Sequence, residues 1–312
     1  MELNRRTLLA TASAASAAAM LGTSAALSPA AAQTAPAGKQ APGYYRYKVG
    51  DLEITVVTDG ASTFPLPDRF VQNKDKSEVQ KALEEAFRPT DTLTVPFTPI
   101  VINTGSKLVL IDSGMGPAMH EKSKGAIGQL HTNLAAASID LKSVDTVILS
   151  HLHPDHINGI RTADGGLAFP NAEIMVPGAD WAFWMSDENA AKATSDLMKG
   201  YFANARRVLG DLANKVTRYD AGKEVAPGIT AMATPGHTPG HTSFTVSSGK
   251  SSVLVQSDVT NIPHLFLRNP TWQVMFDVDP LQAAETRKKF YDMASADRLM
   301  VQGFHFPFPS VG

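Results

Sequence analysis

From Gly43 onward the chain reads as short apolar runs separated by polar and glycine-bearing breaks. Leu52, Ile54 and Val56 alternate with Glu53 and Thr55 and run into Asp59-Gly60, which predicts a half-buried strand closed by a turn. Ile100 to Ile102 and Leu108 to Ile111 flank Asn103-Thr104-Gly105-Ser106-Lys107, the pattern of a hairpin with a glycine-bearing loop. Ile127, Leu130, Leu134 and Ala137 recur at helical spacing and predict the first interior helix over about 126–138. Val147-Ile148-Leu149 is wholly apolar and predicts a strand buried on both faces. Further strands are expected at Glu173 to Val176, Ile229 to Ala233, Ser243 to Val246, Ser252 to Gln256 and Leu299 to Val301. Helices are expected over about 192–214 and from the Asp279-Pro280 capping pair to about 295. Strands in both halves with helices between them predict one α/β domain that layers two sheets with helices outside.

The first 32 residues break this pattern. Asn4-Arg5-Arg6-Thr7-Leu8-Leu9 sets paired arginines before an alanine-rich, weakly apolar stretch that ends in Ala30-Ala31-Ala32. That is the layout of a twin-arginine export signal with a small-residue cleavage site, so a periplasmic or secreted location is expected. Gly22, Ser24 and Pro29 interrupt the stretch, which argues against a permanent membrane span. Residues 33–42 read as a polar linker, and 43–312 as the folded domain.

Composition narrows the chemistry. A net charge of -2 without a basic cluster gives no electrostatic reason for nucleic-acid binding. The chain contains no cysteine, so disulfides and thiolate metal sites are excluded and any metal must bind to nitrogen and oxygen. His151, His153, Asp155 and His156 then stand out within His151-Leu152-His153-Pro154-Asp155-His156, directly after the buried strand. In extended geometry residues two apart share a face, so His151 and His153 can enter one site. Pro154 turns the chain and lets Asp155 and His156 address a neighbouring position. A zinc site takes about three protein ligands plus water, so more donors are needed. His237, in Thr234-Pro235-Gly236-His237-Thr238-Pro239-Gly240-His241, follows one strand; Asp258 and His305 follow two others. His241 is assigned a supporting hydrogen bond rather than ligation. His120, His131 and His264 lack ligand-type neighbours at useful spacing and are read as surface or pocket-rim residues.

The pattern H-x-H-x-D-H, followed by a lone histidine, an aspartate and a last histidine, resembles the metallo-β-lactamase superfamily over about residues 43–312. The resemblance implies an αββα sandwich of two mixed sheets and a pair of divalent metal ions, zinc by preference. It assigns His151, His153 and His237 to one metal, Asp155, His156 and His305 to the second, and Asp258 as the bridge. Asp112-Ser113-Gly114 matches a strand-end motif of the superfamily, with a structural and a chemical role equally open. Gly43-Tyr44-Tyr45-Arg46 and Phe169-Pro170-Asn171-Ala172 are most similar to the methyl parathion hydrolase group of lactonases, arylesterases and phosphotriesterases. That similarity suggests Trp184 and Phe202 for the substrate mouth, with plain helix packing equally open. Leu265-Phe266-Leu267 either walls the pocket or simply packs.

The expected reaction is hydrolysis of a lactone or aryl ester by a hydroxide held between two metals, with Asp155 and Asp258 as catalytic carboxylates that fix it, one of them shuttling its proton. Phosphotriester hydrolysis is the alternative, and a small-molecule substrate the only partner beyond a homodimer. Zinc β-lactamases lack the bridging aspartate that Asp258 matches, and flavin-linked diiron relatives carry glutamate where His153 stands. A non-catalytic metal-binding module would need a missing ligand, and all seven are present.

Overall fold

The computed structural model describes residues 41–312. The export signal expected over 1–32, and the linker up to residue 40, lie outside the described residues. Two mixed sheets form the centre. The seven-stranded sheet has the order β1-β2-β5-β6-β7-β8-β9 and the five-stranded sheet β10-β11-β12-β13-β14. In the first, β1 (Tyr44–Val49), β2 (Leu52–Val57), β5 (Ile100–Asn103) and β6 (Leu108–Ile111) pair antiparallel. β7 (Thr146–Ile148), β8 (Glu173–Pro177) and β9 (Thr217–Tyr219) then add in parallel. In the second, β10 (Glu224–Ala226), β11 (Ile229–Ala233), β12 (Thr242–Ser248) and β13 (Ser251–Ser257) are antiparallel, and β14 (Met300–Gly303) pairs parallel with β13.

Period-two alternation divides the apolar residues between layers. Ile100, Ile102, Val109, Ile111 and Ile148 face Phe244, Val246, Val253 and Val255 in the core between the sheets. The intervening Val101, Leu110 and Val147 point outward, against helical residues such as Leu134, Trp184, Ala205 and Val208. On the far side Leu254 and Val301 pack against Phe290 and Ala294. Strands buried on both faces need apolar residues at every position, which is why β7 and β13 carry continuous apolar runs. The result is the helix-sheet-sheet-helix layering expected.

Several elements were not visible in the apolar pattern. A two-stranded hairpin, β3 (Gly60–Pro65) with β4 (Thr92–Phe97), stands apart from both sheets. It packs with Phe70, Leu83, Ile262, Phe266 and Trp272 in a cluster of its own. Between its strands lies helix α1 (Lys76–Glu85), with a capping box between Asp75 and Glu78. Only Val79 and Leu83 of α1 are buried, too few for an apolar stripe to show. The expected turn at Asp59-Gly60 is instead a junction. Asp59 is fully buried, accepts the Met115 and Leu130 amides, and the chain continues into β3. The helix expected over 126–138 spans only Leu130–Ala136, although all four residues of its apolar face are buried. Gly128, with φ of +75°, ends the preceding loop, and Ile127 bridges Gly60. Among the described residues no helix is long and apolar enough to cross a membrane.

Phe244 is fully buried between the two sheets. Phe244→Ala should lower unfolding stability by about 3–5 kcal/mol, read as a lower denaturation midpoint at unchanged slope. A loss under about 1 kcal/mol would contradict the packing described.

Candidate metal centre

The functional side chains hang from strand ends. His151 lies three residues beyond β7, His237 in the loop between β11 and β12, Asp258 directly after β13, and His305 two residues after β14. His153 caps the short helix Pro154–Ile157, whose first turn carries Asp155 and His156. Two strand-end residues, Asp112 and Ser257, hold left-handed backbone with φ of 61° and 51°. Such backbone costs energy outside glycine and concentrates where side chains must be aimed. Their side chains meet beneath the site: Ser257 donates to Ser150 Oγ at 2.6 Å, and Ser150 donates to Asp112 at 2.8 Å.

All seven residues singled out in the sequence converge. Donor atoms of His151, His153 and His237 form one group, those of Asp155, His156 and His305 a second, and Asp258 joins His151 and His156 in a third. His153 Nδ1 and His237 Nε2 lie 2.9 Å apart. Asp258 Oδ2 is 2.9 Å from His305 Nε2 and 3.3 Å from His237 Nε2, while its Oδ1 is 3.3 Å from His156 Nε2. Asp155 lies 3.5 Å from both His156 and His305.

The opposite ring nitrogens are held from behind. His156 Nδ1 donates to Asp112 at 2.8 Å, His237 Nδ1 to Asp277 at 2.8 Å, and His305 Nδ1 to the Pro96 carbonyl at 2.9 Å. His151 Nδ1 meets Ser150 Oγ at 3.0 Å. These bonds select the tautomer whose Nε2 lone pair faces the site. His151 Nε2, His156 Nε2 and Asp258 Oδ1 are buried with no hydrogen-bond partner. Lone pairs and carboxylates facing one another with no donor between them are the arrangement that a pair of cations satisfies, so the residues present fit two divalent ions.

The titrations tell the same story. Burial holds His151 and His153 well below the ordinary imidazole value, with the neighbouring histidines adding to it. Burial also disfavours charge on His156, but Asp258, Asp112 and Asp155 outweigh it and raise that imidazole well above its usual range. The carboxylates around His156 thus favour positive charge at that place.

The fold and this geometry meet an independent match: residues 98–305 fit the metallo-beta-lactamase superfamily. The chain belongs to that superfamily. It is 27% identical over 196 residues to an N-acyl homoserine lactonase of Bacillus cereus, spanning 58% of this chain and 68% of that protein. The solved structure of AidC, a dizinc quorum-quenching lactonase in complex with a product, superposes with a TM-score of 0.80 at 27% identity, covering 86% of this chain and 92% of that one. The hydrolase AbOPH of the same superfamily gives 0.79 at 28% identity, covering 88% and 94%.

Beside the superfamily's donor cluster opens a cavity of about 220 Å³, walled by Phe64, Val95 and Phe97 of the hairpin, with Met115, Tyr201 and Phe276. Trp184 and Phe202, expected at this mouth, are not in its wall. Both are buried in the helix-sheet core, with ring centroids 4.8 Å apart. Trp184 is diverted because its indole N–H donates to Asp180. Leu265 and Phe266 pack in the hairpin cluster, and Leu267 is exposed. His241 offers no nitrogen to the site: Nε2 accepts the Asp258 amide at 3.0 Å and Nδ1 faces the Thr234 carbonyl at 3.0 Å. His120, His131 and His264 lie outside the donor groups.

Three supporting residues escaped the sequence reading. Asp277 orients His237 from forty positions away. Asp180, fully buried, accepts the Leu152 amide at 2.9 Å and the Gly240 amide at 2.7 Å, and so ties the two histidine loops together. Arg287 donates to the carbonyls of Val259, Pro270 and Trp272 and fixes the loop that carries Asp277. The glycines of the His237 loop serve packing rather than approach to a metal. A Cβ on Gly236 would stand 2.2 Å from the Ala283 backbone, and one on Gly240 2.2 Å from Asp180 N. None of these partners has a sequence signal, because each depends on contact between distant segments.

Asp277→Asn keeps the volume and removes the charge behind His237. Zinc affinity, measured by competition with a chromophoric chelator, should fall about 10–100-fold. Wild-type affinity would show that the Asp277 contact does not orient a ligand.

Proposed function

We propose that the chain is a binuclear, zinc-dependent hydrolase that opens lactone rings bearing an acyl chain. The observation that carries this reading is the buried donor-only cluster, with Asp258 between its two halves, set against an apolar cavity. In this reading His151, His153 and His237 would hold one ion and Asp155, His156 and His305 the other, with Asp258 available to both. When bound, the two ions supply Lewis acidity and an activated water. Similarity to N-acyl homoserine lactonases and to a dizinc lactonase supports the substrate class.

The chain's residues account for the remaining steps. Phe64, Val95, Phe97 and Phe276 give an acyl chain a dry wall and leave the ring against the polar end of the cavity. Water adds to the ring carbonyl carbon, the acyl C–O bond breaks, and one proton moves from the water to the ring oxygen. Asp155, the carboxylate with 19% of its side chain exposed, is placed to take that proton and return it. Asp258, held by histidines on both sides, stays ionised: burial opposes its charge, but His305 and His156 bring its carboxyl well below the usual range.

Aryl esters and phosphotriesters are open to the same donors, so the test is comparative. Zinc-loaded protein should turn over an N-acyl lactone with higher kcat/KM than an aryl ester, a dialkyl aryl phosphotriester or a cephalosporin. Chelation should remove the activity and zinc restore it. Preference for the phosphotriester or the cephalosporin would overturn the substrate assignment; activity indifferent to chelation would overturn the mechanism.

A further inference from the structure

Outside the donor cluster, Asn261 is the residue of the cavity wall with a buried polar atom that has no hydrogen-bond partner. Asn261 lies three residues beyond Asp258, just before the short helix Pro263–Phe266, and lines the same cavity as Asp155, His237 and His305. It is only 3% exposed, yet its Oδ1 has no hydrogen-bond partner, and among the described residues no hydrogen bond engages its Nδ2. The other buried side-chain amides among the described residues are satisfied. Gln256 donates to the Thr260 carbonyl and accepts from Tyr291, and Gln302 accepts from Tyr47 at 3.4 Å. A buried primary amide without partners disfavours folding, and groups of this kind persist where a ligand supplies the missing bond.

The backbone around it is not free to drift. Asp258 is pinned through His241, and Val259 and Trp272 through Arg287, so the segment that carries Asn261 is anchored in the wall it shares with the donor cluster. The cavity surface on the hairpin side is mostly apolar, Phe64, Val95 and Phe97 beside the single hydroxyl of Ser62. A substrate that joins such a chain to a lactone ring through a secondary amide would place one carbonyl and one N–H at the boundary between these two surfaces.

We propose that Asn261 is a specificity residue that hydrogen-bonds this exocyclic amide, either by donating from Nδ2 to its carbonyl or by accepting its N–H at Oδ1. The proposal rests on the lactonase reading and sharpens it: the preferred ligands are N-acylamino lactones and their ring-opened acids, not lactones in general.

The test is binding, so that it does not depend on turnover. Zinc-loaded full-length protein is titrated calorimetrically with N-hexanoyl-homoserine and with an amide-free γ-hydroxy acid of matched length. Wild type should prefer the amide-bearing acid by about tenfold, close to one hydrogen bond's worth of affinity. Asn261→Ala and the similarly sized Asn261→Leu should both lose that preference. Asn261→Leu should also melt higher than wild type, since it removes an unpaired polar group, whereas a structural asparagine would melt lower. No amide preference in wild type, or a preference that survives both variants, overturns the proposal. Lactone turnover is followed in parallel. Its absence alongside an Asn261-dependent preference would sink the lactonase reading and leave this one standing.

Discussion

The structure depends on a burial that the protein chain alone cannot satisfy. Five imidazoles and two carboxylates turn their lone pairs toward one small region, all but Asp155 nearly inaccessible to solvent. Isolated charges and unpaired acceptors in such a place are strongly disfavoured. The carboxylates of the cluster favour positive charge beside them, raising His156 and His305, while burial holds His151 and His153 neutral-leaning, below the ordinary imidazole value. Two divalent ions remove the conflict and convert a destabilising arrangement into a preorganised one.

The sandwich exists to hold that arrangement. Ends of strands from both sheets deliver the donors, and the core between the sheets fixes the distance between them. Beneath the donors, Asp112, Ser150 and Ser257 join three strand ends through side-chain hydrogen bonds. From the side, Asp180 ties the His151 to His153 segment to the His237 loop. Displacing any one strand end would therefore shift several donors together. The hairpin of β3 and β4 contributes no donor; it closes one wall of the cavity and sets which substrates fit.

What could be read in the sequence follows from distance along the chain. His151 to His156 are covalent neighbours, so their shared purpose was visible as a density of ligand-type residues. His237, Asp258 and His305 were visible because each follows an apolar strand. Most strands of the two sheets were visible through apolar runs or clean alternation; the edge strands β1, β9 and β10, short or largely exposed, were not. Nor was the hairpin: burial follows no clean alternation along β3, and β4, which alternates at Leu93, Val95 and Phe97, pairs with β3 alone. Trp184 and Phe202 were left between mouth and core because an aromatic residue fits a helix core as well as a cavity wall, and Asp180, which bonds the Trp184 indole, carries no local pattern. Asp277 and Asn261 were missed for the same reason. Their significance lies in a contact, or in a missing one, that only the folded chain reveals.

Anomalous X-ray diffraction at the zinc edge, from crystals of the zinc-loaded protein, tests the central claim most directly. The account predicts two peaks about 3.5–4 Å apart, one bounded by His151, His153 and His237, the other by Asp155, His156 and His305, with Asp258 between them. A single peak, or metal bound away from these residues, would contradict it.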